Sequence, residues 1–211
     1  MCMAVVLLSL AIVSNASAQK TKKGEGKNEK MENVKEIGVI ETSMGTIEIE
    51  LFRNDAPKTV ENFVKLAEKK YFDGIIFHRV AKGFVIQGGD PTGTGSGGKS
   101  IYGKEFADEL NPNTPSYKEG YKKGVVAMAN RGPNTNTSQF FIMLADLPRM
   151  PKNYTIFGKV IKGQDVVDKI GQVDITPQMG PTDGKPKVDV IMKKVTIRKE
   201  PIPVPSEKVK K

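Results

Sequence analysis

At 211 residues, with 38% hydrophobic and 27% charged side chains, the chain can build one globular domain with a substantial core and is too apolar to be disordered throughout. Its formal net charge of +9 resides partly in lysine-rich ends. With no basic helix, aromatic-interleaved basic patch or finger spacing beside it, that charge implies solubility and weak attraction to anionic surfaces, and no nucleic-acid partner.

Residues 1–18, MCMAVVLLSLAIVSNASA, carry no charge and join the apolar run from Ala4 to Val13 to Ala16-Ser17-Ala18, a small-x-small cleavage pattern. No Lys or Arg precedes the run, yet the pattern predicts a signal peptide and a periplasmic or secreted protein. A membrane anchor needs about 20 apolar residues, so no stable membrane insertion is expected after cleavage. The single cysteine, Cys2, lies in this leader, which leaves the mature chain without a disulfide. Residues 19–36 mix Lys, Glu and Gly with little to bury and read as a flexible charged linker. Residues 37–199 carry the domain, and residues 200–211 form a Pro/Lys-rich tail.

Within the domain, Thr46-Ile47-Glu48-Ile49-Glu50-Leu51 alternates strictly, placing Ile47, Ile49 and Leu51 on one face of a half-buried strand. GVIET before it, and IIFHRV, FVIQGG, GVVAMA, SQFFIML, YTIFGKV and KVDVIMKKVTIRK after it, bring the candidate strands to eight. From Pro57 to Ala67 the apolar Val60, Phe63, Val64 and Ala67 fall at helical spacing, with Pro57 suited to a first turn and Asp55 the expected cap. Gln164 to Ile170, between Gly163 and Gly171, reads as a second helix. The pattern predicts a mainly β fold, a closed eight-stranded antiparallel β-barrel capped by two α-helices.

Between the fourth and fifth candidate strands, GTGSGGKS at Gly93 to Ser100 fits the phosphate-loop pattern G-x-x-x-x-G-K-[ST]. Such a loop needs a helix N-terminus after it to supply donors and dipole, and Ile101-Tyr102-Gly103 is a poor helix start. No nucleotide is expected.

The loop takes its meaning from its neighbours. Phe77-His78-Arg79 with Gly83-Phe84-Val85-Ile86-Gln87-Gly88-Gly89-Asp90, then GTGSGGKSIYG, then Asn136-Thr137-Ser138-Gln139-Phe140-Phe141-Ile142, resembles the cyclophilin family of peptidyl-prolyl isomerases from about Ile37 to Lys199. The resemblance implies cis/trans isomerisation of X-Pro bonds in proline-containing polypeptides by a cofactor-free, metal-free monomer. It also assigns residues. Arg79 would face the prolyl nitrogen and Gln87 would orient it. Phe84, Val85, Phe141 and Met150 would form the proline pocket. Ala129 and Asn130 would offer backbone to the peptide, with Gln139 along the groove and Tyr154 at its rim. Taken singly, Arg79 reads as a surface charge and Phe84 and Phe141 as core; the joint motif decides otherwise.

The chemistry suits these residue types. Amide rotation crosses a barrier of roughly 18 to 20 kcal/mol because the twisted bond loses resonance, so uncatalysed X-Pro exchange takes on the order of tens to hundreds of seconds. The twisted nitrogen becomes a hydrogen-bond acceptor, and a fixed cation beside it stabilises the transition state more than the planar ground state. A peptide-binding chaperone or scaffold with incidental turnover would need the pocket but not the cation. A hydrolase built on Ser138 and His78 lacks a nucleophile elbow.

Some residues depart from the common eukaryotic pattern. Arg149 replaces the tryptophan that grips cyclosporin in many members, which implies weak inhibition by that drug. Tyr154 stands where those members carry histidine. Arg131 follows Asn130 where a small residue is common, and it would either favour acidic residues upstream of proline or point into solvent. LP...NYTIFG resembles the bacterial branch. The sequons at Asn136 and Asn153 would place sugars at the groove, which agrees with a bacterial exported protein acting on the folding of other exported proteins.

Overall fold

The computed structural model describes residues 34–202. In chain order the elements are β1 Val34–Thr42, β2 Gly45–Leu51, α1 Pro57–Glu68, β3 Arg79–Ala81, β4 Val85–Gly88, α2 Pro115–Glu119, β5 Val125–Met128, β6 Phe140–Met143, β7 Ile156–Lys162, α3 Gln164–Ile170, β8 Ile175–Gly180, β9 Asp183–Pro186 and β10 Met192–Pro201. All ladders are antiparallel, in the order β10-β1-β2-β7-β5-β6-β4-β3-β9-β8. No described helix is long and apolar enough to cross a membrane.

The eight expected strands are present, and β8 and β9 are additional. β8 buries Ile175 and exposes the rest, so it has no apolar alternation to announce it. The expected closed barrel is not closed by a ladder. The sheet order ends on β10 and β8, and the approach between the β10 side and the β3 side is an isolated bridge, Ile76 to Ile191, with Phe77 N donating to Val190 O at 2.9 Å. β1 starts at Val34, inside the stretch expected to be linker, because pairing with β10 satisfies its backbone as far as Val34↔Pro201 whatever the side-chain composition.

The pleat divides the apolar residues between two clusters. Ile40, Ile47, Ile49, Val80, Ile86, Val126, Phe140 and Ile142 point inward and meet Val60, Phe63 and Ala67 of α1. Phe72, Phe77, Phe140 and Phe157 are almost fully buried there, and each contributes roughly 1.5–3 kcal/mol of burial. Their alternate neighbours Ala81, Val85, Val125, Ala127, Phe141 and Met143 form a second cluster on the outer face.

The helices differ from expectation in number and capping. α2 is a third helix, five residues long with Ser116 as its buried residue, too short for a periodic apolar face. Asp55 does not cap α1, because Ala56 holds the N-cap position. Glu109 instead accepts from the amides of Lys58 and Thr59 at 3.0 and 2.8 Å, while Asp55 accepts from Ser116 N of α2 at 2.8 Å. The starts of α1 and α2 are thus satisfied by carboxylates 50 to 61 residues away, a pairing invisible to local sequence.

Candidate active site

Antiparallel register brings the functional side chains together. Arg79↔Gln87, Gln87↔Phe141 and Phe141↔Ala127 are facing pairs across β3, β4, β6 and β5. Facing partners share a sheet face, so these four residues form one row on the outer side. Ala81↔Val85↔Met143 is the next row along.

The Arg79 side chain, 23% exposed, is gripped from two directions. Its Nε donates to Asp183 Oδ1 at 2.9 Å and its Nη2 to Asp183 Oδ2 at 2.7 Å. Its Nη1 donates to Gln87 Oε1 at 3.1 Å. The Phe84 ring centroid lies 5.9 Å from the guanidinium carbon. Gln87 Nε2 donates to Gln139 Oε1 at 2.9 Å, and Gln139 Nε2 donates to Gly95 O and Gly97 O at 2.9 and 2.8 Å. Two backbone carbonyls therefore fix both amide side chains in series and aim an acceptor at Arg79.

The glycine loop is the base of that series. Asp90, 1% exposed, accepts from the amides of Thr92, Thr94, Gly95 and Gly97 at 2.8, 3.2, 2.7 and 3.1 Å. Burial pushes the carboxyl pKa up, but donors from Thr92, Gly97 and Gly95 outweigh it and bring it down to about 2. Within the motif the Thr94, Gly95 and Gly97 amides are committed to this internal carboxylate, and those of Ser96 and Lys99 to the hydroxyls of Thr94 and Ser138. Gly89 lies beside the loop at φ +87°, where a Cβ would meet Ser138 O at 2.3 Å.

The apolar half of the site is the outer cluster. Val85 and Phe141 are buried in it, and Phe84, Ala129, Met150 and Tyr154 pack against it half-buried. The Tyr154 ring stands edge-on to Phe141 with centroids 5.5 Å apart. Tyr121 fixes that wall: its hydroxyl donates to Tyr154 O and accepts from Tyr154 N, both at 2.9 Å, and burial pushes its pKa up to about 12. A cavity of about 60 Å³ bounded by Gln87, Gln139, Ala129 and Arg131 adjoins the row, and one of about 350 Å³ lies across the 130–133 turn beside Tyr154 and Asp108.

The structure places Arg79, Gln87 and Phe141 in one outer-face row, Phe84, Val85, Ala129, Met150 and Tyr154 in or against the cluster beside it, and Gln139 and Asn130 at the adjoining small cavity, with some changes in detail. The Ala129 amide already donates to Gln139 O at 3.0 Å, so it is not available to a peptide. Arg131 pairs with Glu105 at 2.7 Å. Asn136 is fully buried and donates to Phe106 O and Asp108, so the first sequon is structural. Ser138 Oγ donates to Gly89 O at 2.7 Å, while neither ring nitrogen of His78 has a partner among the described residues and burial lowers its pKa, so the two form no dyad. Among the described residues no His, Cys, Asp and Glu cluster could hold a metal. Asp183 and Tyr121 escaped sequence reasoning, since TDGKP reads as a turn and a lone tyrosine carries no signal.

The cyclophilin type peptidyl-prolyl cis-trans isomerase/CLD family model matches residues 37–197. The chain is 49% identical over 164 residues to peptidyl-prolyl cis-trans isomerase-like 1 of Neurospora crassa, covering 76% of this chain and 94% of the relative. The Homo sapiens protein of that name is 50% identical over 144 residues, covering 68% and 84%. A solved Cryptosporidium parvum cyclophilin type isomerase, crystallised in the presence of the dipeptide Ala-Pro, matches with TM-score 0.69 and 39% identity over 77% of this chain and 98% of the other. These eukaryotic relatives correct the expected bacterial exported branch and the periplasmic or secreted localisation. An uncharged apolar run ending in small residues is too unspecific to outweigh them, and residues 1–18 lie outside the described residues.

Proposed function

This chain belongs to the cyclophilin-type peptidyl-prolyl cis/trans isomerase family, and on that premise we propose that its outer groove holds extended proline-containing polypeptide while Arg79 stabilises the twisted X-Pro amide. The observation that carries the reading is the state of the guanidinium. Asp183 and Gln87 take three of its N–H donors, and a guanidinium has five. The two left, one on each Nη, serve an acceptor that exists only once the amide has twisted.

The division of labour follows. Phe84, Val85, Phe141 and Met150 hold the proline ring by apolar burial, which acts equally on planar and twisted forms and so sets affinity. Arg79 acts on the twisted form and sets rate. Gln87, oriented by Gln139, aims an acceptor at Nη1 and so helps hold the guanidinium in place before the amide twists. Asn130 presents backbone to the peptide, with its side chain tied to Asn153 O at 2.9 Å. No proton moves and no covalent bond forms, so the reaction needs no nucleophile or cofactor.

Arg79→Ala should lower kcat/KM on Ala-Pro peptides by about 10² or more, the usual loss for a preorganised donor. Peptide affinity should survive in the folded variant, since the apolar pocket is untouched. Near-full activity in a folded Arg79→Ala protein would overturn the mechanism.

A further inference from the structure

We propose that Asp183 is a positioning residue for the isomerase reaction, acting through Arg79; this rests on the reading of Arg79 given above. Asp183 takes the guanidinium side-on through Nε and Nη2, the fork geometry that fixes both plane and direction. An unpaired arginine side chain samples many rotamers, and the carboxylate removes that freedom before substrate arrives. Gln87 alone, through Nη1, would leave the plane free to swing.

The carboxylate is itself rigidly placed. Ala81↔Asp183 and Val80↔Gly184 pair β9 to β3, the strand that carries Arg79, and Lys82 N donates to Thr182 O at 2.8 Å. On the other side β8 presses so close that a Cβ on Gly184 would lie 2.0 Å from Thr176 O. β9 is thus paired on both edges, to β3 and to β8, and the ladder to β3 holds Asp183 beside the strand that carries Arg79. Its side chain is 18% exposed, so solvent screens the pair less than it would a surface ion pair.

Two effects of the carboxylate oppose each other. It partly offsets the positive charge that the prolyl nitrogen would feel, and it aims the two remaining N–H donors. The aimed donors touch the reacting atom directly while the carboxylate sits behind the guanidinium, so orientation outweighs neutralisation. A salt bridge serving stability alone would show neither effect on turnover.

The test uses Asp183→Asn and Asp183→Glu, each alone and combined with Arg79→Ala, with kcat and KM on an Ala-Pro peptide and urea unfolding as readouts. Asp183→Asn should lower kcat by about tenfold, less than the 10²-fold that a misplacement of about 1 Å can cost, and leave KM unchanged; Asp183→Glu should recover part of the loss. In the Arg79→Ala background Asp183→Asn should change nothing. Wild-type or raised kcat in Asp183→Asn, or an equal loss with and without Arg79, would overturn the proposal. If Arg79→Ala keeps its activity the reading of Arg79 fails; if it is inactive while Asp183→Asn is fully active, the clamp alone fails. A readout on the unaltered protein is also available: the Arg79 Nε–H should give a distinct, slowly exchanging ¹⁵N signal at neutral pH, and a rapidly exchanging one would overturn the clamp.

Discussion

Asp90→Asn removes one charge from the centre of the glycine loop and tests how that loop holds the site. In the wild type Oδ2 accepts from Thr94, Gly95 and Gly97 amides, and Oδ1 from the Thr92 amide and hydroxyl. In the least disruptive rotamer the carboxamide oxygen replaces Oδ2, and the new NH2 faces the Thr92 amide, donor against donor. One unmet amide in this part-buried bond costs about 1–2 kcal/mol. The lowered pKa gives an independent figure: a drop from 3.8 to about 2, at about 1.4 kcal/mol per unit, amounts to about 2–3 kcal/mol. Both estimates put the loss near about 2 kcal/mol, or about 4–8 °C in Tm for a chain of this size. The sign with pH follows from the folded carboxyl being the stronger acid. Its contribution is complete above the unfolded value of 3.8 and disappears as pH falls through about 2. Urea unfolding of both proteins at pH 7 and at steps below pH 5 should show a gap that narrows with acid. Equal stability at pH 7, or a gap that stays constant to pH 2, would refute this account of the loop. Activity should fall in the same variant, because Gln139 is anchored on Gly95 O and Gly97 O.

Tyr121→Phe leaves Tyr154 N and O without their shared hydroxyl, so it should cost about 1–3 kcal/mol of stability and raise KM more than it lowers kcat; unchanged stability and KM would count against the wall it is assigned. Because Glu105 pairs with Arg131, the wild type should treat Glu-Ala-Pro and Lys-Ala-Pro peptides alike. Glu105→Gln should then favour the acidic peptide by about 0.2–1 kcal/mol, an effect that fades with salt, and a preference identical in both proteins would show that the pairing is immaterial. Calorimetry with millimolar Mg-ATP should give no saturable signal, since the loop amides face Asp90, and a signal abolished by Lys99→Ala would reverse that conclusion.

What the sequence determined by itself was the local and the shared-face information. Strict alternation located β2 and its buried face, because a period of two follows from the pleat alone, and short apolar runs located β4 and β6. The FHR, GF.IQGGD and NTSQFFI motifs singled out Arg79, Phe84, Val85, Gln87, Gln139 and Phe141 before any distance was known, and the missing helix after Lys99 argued against a phosphate loop. Tertiary structure decided whatever depends on residues distant in sequence. The Glu109 and Asp55 exchange at the helix starts joins segments more than fifty residues apart. β8 and β9 are strands because β3 offers a free edge, with no apolar pattern of their own. Asp183 reaches Arg79 across 104 positions, and Asp90 gathers a loop whose glycines in sequence suit an external phosphate equally well. Hydrogen-bond partners are chosen by backbone position in space, and a one-dimensional pattern records the donor and the acceptor without recording that they meet.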